Sequence, residues 1–205
     1  MKRIGIFGGS FNPIHLGHTA LAAYICEQEL VDEVWLMVSP QNPLKQNRAL
    51  LNEAERLAMA RLATAPYPML RACDFEFTLP RPSYTYHTLQ ALRKAYPDCE
   101  FSLIIGEDNW QCFDHWYRGE DIAQETPIIV YPRGSESSAL SELDGEFSTF
   151  NFQLSILKTP PLLPYSSTEV REYIAAGKDF GHMLHPDVTR YIKENNLYIT
   201  QHDEA

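Results

Sequence analysis

The sequence has 205 residues, four cysteines and a formal net charge of -10 at pH 7. This length accommodates one domain with a substantial core, so the fold needs no disulfide or metal to stabilise it. The acidic charge balance argues against a generic nucleic-acid-binding surface, because proteins that bind polyanions usually cluster lysine and arginine. The cysteines form no C-x-x-C pair, which argues against a zinc site or a disulfide framework and indicates reduced thiols.

Membrane and secretion signals are missing from the sequence as well. The apolar part of the N-terminus is too short for a signal peptide, and no stretch approaches the roughly 18 continuous apolar residues of a membrane span. We therefore expect a soluble, cytoplasmic protein without a membrane or nucleic-acid partner. No repeat or linker divides the chain, so we predict a single domain over residues 1–205. The sequence leaves the oligomeric state open, and a homo-oligomer is compatible with it.

Short apolar runs alternate with segments of helical periodicity along the chain. The first elements are predicted as a strand at Ile4–Phe7, a helix at Leu16–Leu30, a strand at Val34–Val38 and a helix at Asn52–Ala65. Later strands are predicted at Met69–Phe75, Phe101–Ile105, Pro127–Tyr131 and Phe152–Leu157, with a helix at Tyr86–Ala95. Asn52 and Glu55 have the spacing of a capping box. This β-α-β-α order predicts an α/β fold with a parallel sheet covered by helices on both faces.

The C-terminal part of the chain is predicted to be helical from about residue 166. Ser166 or Ser167 can cap a helix that Gly177 terminates, and a second short helix is expected from Pro186 to about Asn195. Before this segment, the stretch 134–148 is rich in Ser and Glu and is predicted to be an exposed loop.

The stretch 4-IGIFGGSFNPIHLGH-18 joins the first strand to the first helix. A Walker P-loop needs a lysine directly after its last glycine, but the next lysine here is Lys45, and the glycine spacing does not fit the G-x-G-x-x-G dinucleotide fingerprint. Glycines still let a ligand approach the backbone closely, and the following helix start offers N–H donors to an anion. Gly9, Ser10 and Phe11 therefore mark a predicted anion site at the carboxyl edge of the sheet.

His15 and His18 lie three residues apart at the start of the predicted helix, so both can face one ligand. The residues alone leave three interpretations open. The pair could bind a metal, although no third His, Cys or carboxylate accompanies it locally. It could be structural, with hydrogen bonds to neighbouring backbone. Alternatively, two imidazoles could donate to a phosphate, which the adjacent Gly-Gly-Ser-Phe favours.

The stretch GGSFNPIHLGH resembles the signature of the nucleotidyltransferase superfamily, whose H-x-G-H tetrad is matched by residues 15–18. Three further segments and the tail LHPDVTRYIKENNLY resemble blocks of bacterial nicotinate-nucleotide adenylyltransferases, in the same order and over nearly the whole chain. These segments are 82-PSYTYHTL-89, 104-IIGEDNWQCFDHWYR-118 and 166-SSTEVR-171. The resemblance implies the Rossmann-like, doubly wound parallel sheet of the nucleotidyltransferase fold.

The same resemblance implies an activity in NAD biosynthesis. Members of that family transfer the adenylyl group of ATP to nicotinate mononucleotide and release pyrophosphate, by direct in-line attack. Such a step needs no protein nucleophile, because positioning and charge neutralisation do most of the work. An adenylyltransferase for another phosphate acceptor, such as nicotinamide mononucleotide or a pantetheine phosphate, is the alternative. A non-catalytic nucleotide-binding module is the rival of a different class.

By resemblance, the expected catalytic residues are His15, His18 and Arg171, with the histidines on the ATP phosphates and the arginine on the departing pyrophosphate. The expected ATP-binding residues are Gly9, Ser10, Phe11, His15, His18, Gly106, Asp108, Ser166, Ser167 and Arg171. Asp108 would face the adenosine ribose, although a carboxylate there would also suit a helix N-cap. From the residues alone, Arg171 would equally suit an exposed helix charge with no fixed partner.

The expected residues of the nicotinate-nucleotide site are Asn42, Lys45, Thr85, Tyr86, Trp116, Tyr117 and Arg133. The resemblance implies that Trp116 stacks on the nicotinate ring, since an aromatic face suits a planar heterocycle. Backbone donors at Thr85, Tyr86 and Tyr117 would bind the nicotinate carboxylate, and Arg133 would hold the phosphate. The two other tryptophans, Trp35 and Trp110, are assigned to packing.

The sequence departs from the family pattern at three positions. Asn12 stands where the family usually has Asp, Leu44 replaces a histidine, and Tyr165 replaces the usual Ile before Ser-Ser-Thr. Asn keeps the hydrogen-bonding shape of Asp but lacks its charge. Magnesium is expected as a cofactor that is bound mainly through the ATP phosphates and water, because the sequence shows no dedicated carboxylate cage. No protein metal ligand is predicted.

Overall fold

A computed structural model describes residues 1–40, 50–132, 153–157, 160–161 and 163–199 of the chain. The strands in these ranges are β1 (Lys2–Gly9), β2 (Glu33–Val38), β3 (Leu70–Cys73), β4 (Cys99–Gly106), β5 (Ile128–Tyr131) and β6 (Leu154–Ile156). They form one sheet with the order β3-β2-β1-β4-β5-β6, and all its pairings are parallel. The predicted parallel sheet is therefore confirmed.

The described helices are α1 (Leu16–Glu27), α2 (Glu53–Thr64), α3 (Thr85–Ala95), α4 (Glu107–Trp110), α5 (Gly119–Glu125), α6 (Ser167–Ala175) and α7 (Pro186–Glu194). Short 3₁₀ turns lie at Phe75–Thr78, Phe113–His115 and Gly181–Met183. The pattern of the sequence did not predict α4 and α5, since four and seven residues are too few to reveal a helical period. None of the described helices combines the length and the apolar character that a membrane crossing requires.

The strand order places a topological switch point between β1 and β4. The chain proceeds outwards from β1 through β2 to β3, and then returns to pair β4 with the other edge of β1, where Phe7 lies opposite Ile104. In open sheets of this Rossmann-like, doubly wound kind, ligands bind beyond the carboxyl ends of the strands at the switch point. The carboxyl end of β1 carries the predicted anion site.

Two apolar clusters cover the two faces of the sheet. Successive side chains of a strand point to opposite faces, so Phe7 of β1 joins one cluster, whereas Ile4 and Ile6 join the other. The first cluster contains residues of α1, α2, α6 and α7, and the second contains residues of α3 and α5. This arrangement confirms the prediction of helices on both faces, with the C-terminal helices packed on the face of α1.

Most predicted elements are present, with differences at their ends. α1 stops at Glu27 rather than at Leu30, because the chain turns at Glu29, which has a φ of 56°. Asn52 caps α2 as predicted, accepting a hydrogen bond from the Glu55 N–H at 2.9 Å. The strand predicted to reach Phe75 ends two residues earlier, where a 3₁₀ turn follows. Phe152 and the stretch 134–148 lie outside the described residues.

The C-terminal helical segment is also confirmed. Ser166 caps α6 by accepting from the Glu169 N–H at 3.1 Å, and Gly177 follows the helix with a φ of 64°. A left-handed residue at this position is common after a helix and favours glycine. The four cysteines are all free thiols.

Candidate active site

The turn after β1 is shaped by an aromatic residue in an unusual backbone conformation. Phe11 has a φ of 45° and is 2% exposed, and its ring meets the His18 ring edge-on with centroids 5.1 Å apart. A positive φ is rare for a bulky residue and marks a position that the surrounding fold constrains. The ring lies against Gly9, where a Cβ atom would come within 3.0 Å of Phe11 Cζ. A side chain at position 9 would therefore press against the Phe11 ring, and glycine avoids this contact.

The H-x-G-H tetrad brings its two imidazoles into direct contact. The rings of His15 and His18 stack with centroids 3.6 Å apart and an angle of 29° between their planes. A Cβ at Gly17 would lie 3.0 Å from His15 Nδ1, so the glycine makes room for the His15 ring to fold over the helix start. Both histidines are half-buried. The spacing of the motif thus places two nitrogen-bearing rings side by side at the carboxyl edge of β1.

A backbone hydrogen bond determines which nitrogen of His18 carries hydrogen. The His15 backbone N–H donates to His18 Nδ1 at 3.2 Å, so Nδ1 acts as an acceptor. In a neutral imidazole the remaining hydrogen then belongs to Nε2. We therefore assign Nε2–H as the donor of His18. The interpretation of His18 as a structural residue, bonded to neighbouring backbone, is thus correct for its Nδ1 atom. Its Nε2–H group is suited to donate to an anionic oxygen.

The helix α6 meets the turn of residues 9–13 after β1, the anion turn, although the contacting residues lie 154 and 159 positions apart in sequence. Arg171 donates to the Asn12 carbonyl at 2.7 Å and to Thr168 Oγ1 at 3.1 Å. Ser167 Oγ donates to the Pro13 carbonyl at 2.8 Å. The alternative interpretation of Arg171 as a surface charge without a fixed partner is therefore wrong. The predicted catalytic residues are brought together at one edge of the sheet.

The Asn12 side chain is buried and hydrogen-bonded to two distant segments of the chain. It is 2% exposed, and its Oδ1 accepts hydrogen bonds from the Tyr198 hydroxyl at 2.8 Å and from the Leu51 N–H at 3.2 Å. The departure from Asp thus preserves an acceptor oxygen at the point where the acceptor is used. Tyr165, another of the three departures, is half-buried against the first apolar cluster, and Leu44 lies outside the described residues.

A buried arginine that the sequence analysis missed organises the same edge. Arg56 is 1% exposed and donates to the carbonyls of Ser10 at 2.6 Å, Ser39 at 2.8 Å, Leu51 at 2.9 Å and Pro40 at 3.2 Å. Burial lowers the pKa of its guanidinium, and the carbonyl oxygens compensate for the lost hydration. Arg56 thereby ties the ends of β1 and β2 to the start of α2.

The other two residues expected to bind ATP lie after β4. Gly106 is buried at the end of this strand, opposite Tyr131 of β5, and it is also the N-cap of α4. Asp108 is exposed in the first turn of α4. The alternative interpretation of Asp108 as the N-cap is therefore wrong, because Gly106 takes that position. Since β4 is the neighbour of β1, Asp108 follows the strand at the switch point.

Two sequence-distant segments meet at the start of α3. Thr85 and Tyr86 are its first two residues, and the N–H groups of a first helical turn have no acceptor within the helix. The Tyr117 ring is 48% exposed and lies 4.9 Å from the Tyr84 ring and 6.3 Å from the Tyr86 ring, centroid to centroid. The Arg118 guanidinium carbon lies 4.2 Å above the Tyr86 ring. This aromatic group, Tyr84, Tyr86 and Tyr117, combines N–H donors, one exposed ring and a cation.

The three tryptophans differ in burial. Trp35 and Trp110 are 4% and 5% exposed within the second apolar cluster, which confirms their assignment to packing. Trp116 is half-buried with its ring 5.2 Å from that of Phe113, and its Nε1 is buried with no hydrogen-bond partner among the described residues. Its indole is therefore at the rim of the core. The expected acceptor residues Asn42, Lys45 and Arg133 lie outside the described part of the chain.

Comparisons with known proteins point in one direction. Residues 6–173 match the family model described as Cytidylyltransferase-like. A Bacteroides fragilis protein named "Probable nicotinate-nucleotide adenylyltransferase" is 48% identical over 190 residues, which cover 93% of this chain and 90% of that protein. A Bacteroides thetaiotaomicron protein of the same name is 48% identical over 199 residues, which cover 97% and 93%.

The fold has solved relatives as well. The structure of "Plasmodium falciparum nicotinic acid mononucleotide adenylyltransferase complexed with NaAD" has a TM-score of 0.78 and 23% identity, and the match covers 97% of this chain and 98% of that one. The same Plasmodium protein complexed with APC gives a TM-score of 0.77 with the same coverage. At this identity, the two structures show that the fold is shared.

Proposed function

Because the chain belongs to the Cytidylyltransferase-like family and, within it, to the nicotinate-nucleotide adenylyltransferases, we propose that it transfers the adenylyl group of ATP to nicotinate mononucleotide. The products are nicotinate adenine dinucleotide and pyrophosphate, and the reaction is a step of NAD biosynthesis. One observation carries the proposal. The stacked histidines and Arg171 converge on the Gly9–Pro13 turn at the switch point of the sheet, where a triphosphate would be bound.

The chemistry asks little of the protein beyond positioning and charge. An oxygen of the mononucleotide phosphate forms a bond to the α-phosphorus of ATP, while the bond from that phosphorus to the bridging oxygen breaks. Pyrophosphate leaves with the electron pair. Because the attacking group is already an anion, no side-chain nucleophile is required. In this proposal, His18 Nε2–H donates to the α-phosphate and stabilises its negative charge, with His15 beside it. Arg171 stabilises the negative charge on the leaving pyrophosphate.

The ATP phosphates are proposed to lie at the start of α1, where N–H groups and the helix dipole favour an anion. Gly9, Ser10 and Phe11 would line the approach, and Ser166 and Ser167 at the start of α6 would add donors. Asp108 would accept from the ribose hydroxyls next to Gly106. The positions of these residues support this arrangement. They lie either at the carboxyl ends of β1 and β4 or at the start of α6, which contacts the turn after β1.

The acceptor is proposed to bind across the aromatic group at the start of α3. The N–H groups of Thr85 and Tyr86 suit a carboxylate, because a helix N-terminus favours negative charge. Trp116 and Tyr117 would bind the flat face of the nicotinate ring. Asn42, Lys45 and Arg133 remain expected contacts of the nicotinate nucleotide, with Arg133 on its phosphate.

Magnesium is proposed to accompany ATP rather than to occupy a protein cage. Among the described residues, no group of three or more His, Cys, Asp or Glu side chains is placed to hold a metal ion. We propose an ion that is coordinated mainly by phosphate oxygens and water, with His15 and His18 acting as hydrogen-bond donors to the phosphates. When bound, the ion would neutralise charge on the triphosphate. Free thiols suit the cytoplasm as the expected compartment.

The assay that tests the proposal compares acceptors side by side. Purified protein with ATP and magnesium is given nicotinate mononucleotide, nicotinamide mononucleotide or phosphopantetheine, and pyrophosphate release is followed. We expect turnover with nicotinate mononucleotide and a preference of at least about tenfold over its amide, since N–H donors placed for a carboxylate discriminate against an analogue that lacks the charge. Absence of turnover with every acceptor would overturn the enzymatic proposal in favour of a nucleotide-binding module. Equal turnover with both mononucleotides would overturn the specificity.

A further inference from the structure

The chain returns to the anion turn after its last helix. Beyond α7, Leu197 N–H donates to the Ile192 carbonyl at 3.0 Å, and Asn196 and Tyr198 have positive φ values of 51° and 63°. These left-handed residues reverse the chain and bring the Tyr198 side chain back against the first apolar cluster. Its hydroxyl then donates to Asn12 Oδ1 at 2.8 Å, across 186 positions of sequence. The segment after α7 is thereby joined to the turn that leads into His15 and His18.

Asn12 is the point where three other segments meet. Its side-chain oxygen accepts from Tyr198 and from the Leu51 N–H before α2, and its backbone carbonyl accepts from Arg171 of α6 at 2.7 Å. Asn12 is 2% exposed, so water contributes little to these contacts. Two donors converge on one amide oxygen and fix the plane of the side chain. The carbonyl that receives Arg171 belongs to the same residue.

The Tyr198 hydroxyl is kept in its donor form. Burial raises the pKa of Tyr198 above its usual range. The nearby charge of Glu55 adds to this rise in pKa, whereas the charges of Arg171 and Arg56 oppose it. The phenol is therefore protonated at neutral pH and acts as the donor to the Asn12 acceptor oxygen.

We propose that Tyr198 is a positioning residue for adenylyl transfer: its hydroxyl holds Asn12, and through Asn12 it holds Arg171 against the departing pyrophosphate. Tyr198 itself contacts no substrate. This inference rests on the proposed function in one respect, namely that Arg171 binds the pyrophosphate end of ATP. A guanidinium that clamps a phosphate group loses effect when it is displaced by a fraction of an ångström, so a second layer of contacts has a measurable kinetic role.

The chain offers a matched control for this hydroxyl. Tyr191 of α7 is also half-buried, and its hydroxyl donates to Glu55 Oε2 at 2.7 Å, which ties the same C-terminal segment to α2. Tyr191→Phe removes one hydroxyl and one hydrogen bond, as Tyr198→Phe does, but at a site without contact to Asn12 or Arg171. Any effect that merely reflects weaker docking of the C-terminus should therefore appear in both variants.

The experiment measures pyrophosphate binding by calorimetry and the kinetics of the full-length enzyme. We expect Tyr198→Phe to weaken pyrophosphate binding about five- to tenfold and to lower kcat by a similar factor, while KM for the acceptor changes less than about twofold. Tyr191→Phe should leave all three quantities within about twofold. In an Arg171→Gln background, Tyr198→Phe should have no further effect on pyrophosphate binding, because the two residues act as one unit.

The outcomes separate the inference from the proposed function. Pyrophosphate binding can be measured without an acceptor. If the protein binds pyrophosphate but has no adenylyltransferase activity, the proposed function is overturned, and the effect of Tyr198→Phe on pyrophosphate binding can still be measured. Unchanged binding in a folded Tyr198→Phe variant would overturn the inference. Equal losses in both tyrosine variants, or additive losses with Arg171→Gln, would also overturn it, since either result is expected from a purely structural role.

Discussion

The backbone N–H of His15 donates to Nδ1 of His18, and the rings of these two residues stack 3.6 Å apart. His15 thus fixes the hydrogen of His18 at Nε2, and the two rings are already arranged in the protein without a ligand. Preorganised donors are more effective than mobile ones, because they need no rearrangement as charge develops in the transition state.

We expect His18→Ala to lower kcat at least about a hundredfold, the scale on which one transition-state donor contributes. The measurement is steady-state pyrophosphate release at saturating substrates, together with urea unfolding. His185→Ala is the control, because it removes the N-cap of α7, where the His185 ring accepts from the Asp187 N–H at 3.3 Å. This variant should lose stability but keep its kcat. Near-normal turnover of His18→Ala would contradict the donor role.

The glycine of the tetrad gives a second prediction. Gly17→Ala adds a Cβ that would lie 3.0 Å from His15 Nδ1, so the His15 ring has to shift by a few tenths of an ångström from its stacked position against His18. Alanine also favours a helix over glycine by about 1 kcal/mol, so the free energy of unfolding should change little or rise. We expect kcat to fall about tenfold without loss of stability. Full activity in this variant would show that the stacking of the two rings is dispensable.

The elements that the sequence predicted are those whose signals are local. Six strands and the longer helices follow from apolar runs and from the helical period, and the tetrad is contained in four residues. The short helices α4 and α5 give too little period to detect. For Asp108, the sequence could not show that Gly106 caps the helix, because either residue has a suitable identity.

Contacts between distant segments could not be predicted in this way. Tyr198 meets Asn12 across 186 positions, and Arg56 binds backbone carbonyls, which every residue possesses. One signal for Arg56 was present, however. It occupies the buried face of α2 together with Met59, Ala60 and Ala63, at the spacings i+3, i+4 and i+7. A charged residue in such an apolar stripe indicates a buried guanidinium with fixed acceptors.

For the acceptor site, Trp116→Ala should raise KM for the mononucleotide about five- to tenfold and KM for ATP less than about twofold. Loss of a ring that stacks on a planar heterocycle has an effect of this size. The comparison of the two KM values separates a local effect from a general loss of fold. Trp110→Ala is the contrasting variant, since this ring is buried in the second apolar cluster and its loss should destabilise the protein. Equal rises in both KM values for Trp116→Ala would contradict the assignment.

Arg118 is expected to contribute to the choice between nicotinate and its amide. Its guanidinium lies over Tyr86 at the start of α3 and pairs with Asp121 at 2.7 Å. We expect Arg118→Gln to lower the preference for nicotinate mononucleotide by about three- to fivefold, a modest effect because the charge is exposed and screened. Arg190→Gln removes the same kind of i,i+3 pair, with Asp187, on the C-terminal helix and should leave the preference unchanged. An unchanged preference in Arg118→Gln would contradict this role.

A buried carboxyl group makes stability depend on pH. Glu76 is 6% exposed, and Oε1 accepts from Thr88 Oγ1 at 2.8 Å, whereas Oε2 is buried without a hydrogen-bond partner among the described residues. Burial raises the pKa of this carboxyl group above its ordinary value of 4.5, and the Thr88 hydrogen bond and the nearby Ser39 side chain oppose the shift. The folded protein therefore keeps a proton that the unfolded chain releases, and the stabilising effect of that proton is complete below pH 4.5.

As the pH rises from 4.5 through the raised pKa, this contribution is lost, so the wild-type protein should become less stable relative to Glu76→Gln, whose side chain does not titrate. Urea unfolding of both proteins between pH 4.5 and pH 8 measures the difference. The quantity compared is the free energy of unfolding of Glu76→Gln minus that of the wild-type protein. We expect this difference to be larger at pH 8 than at pH 4.5 by on the order of 1 kcal/mol, the scale of an incompletely satisfied buried polar group. Glu172→Gln, at an exposed position of α6, should track the wild-type curve. A constant difference between wild type and Glu76→Gln across this range would show that the carboxyl group ionises as readily in the folded chain as in the unfolded one.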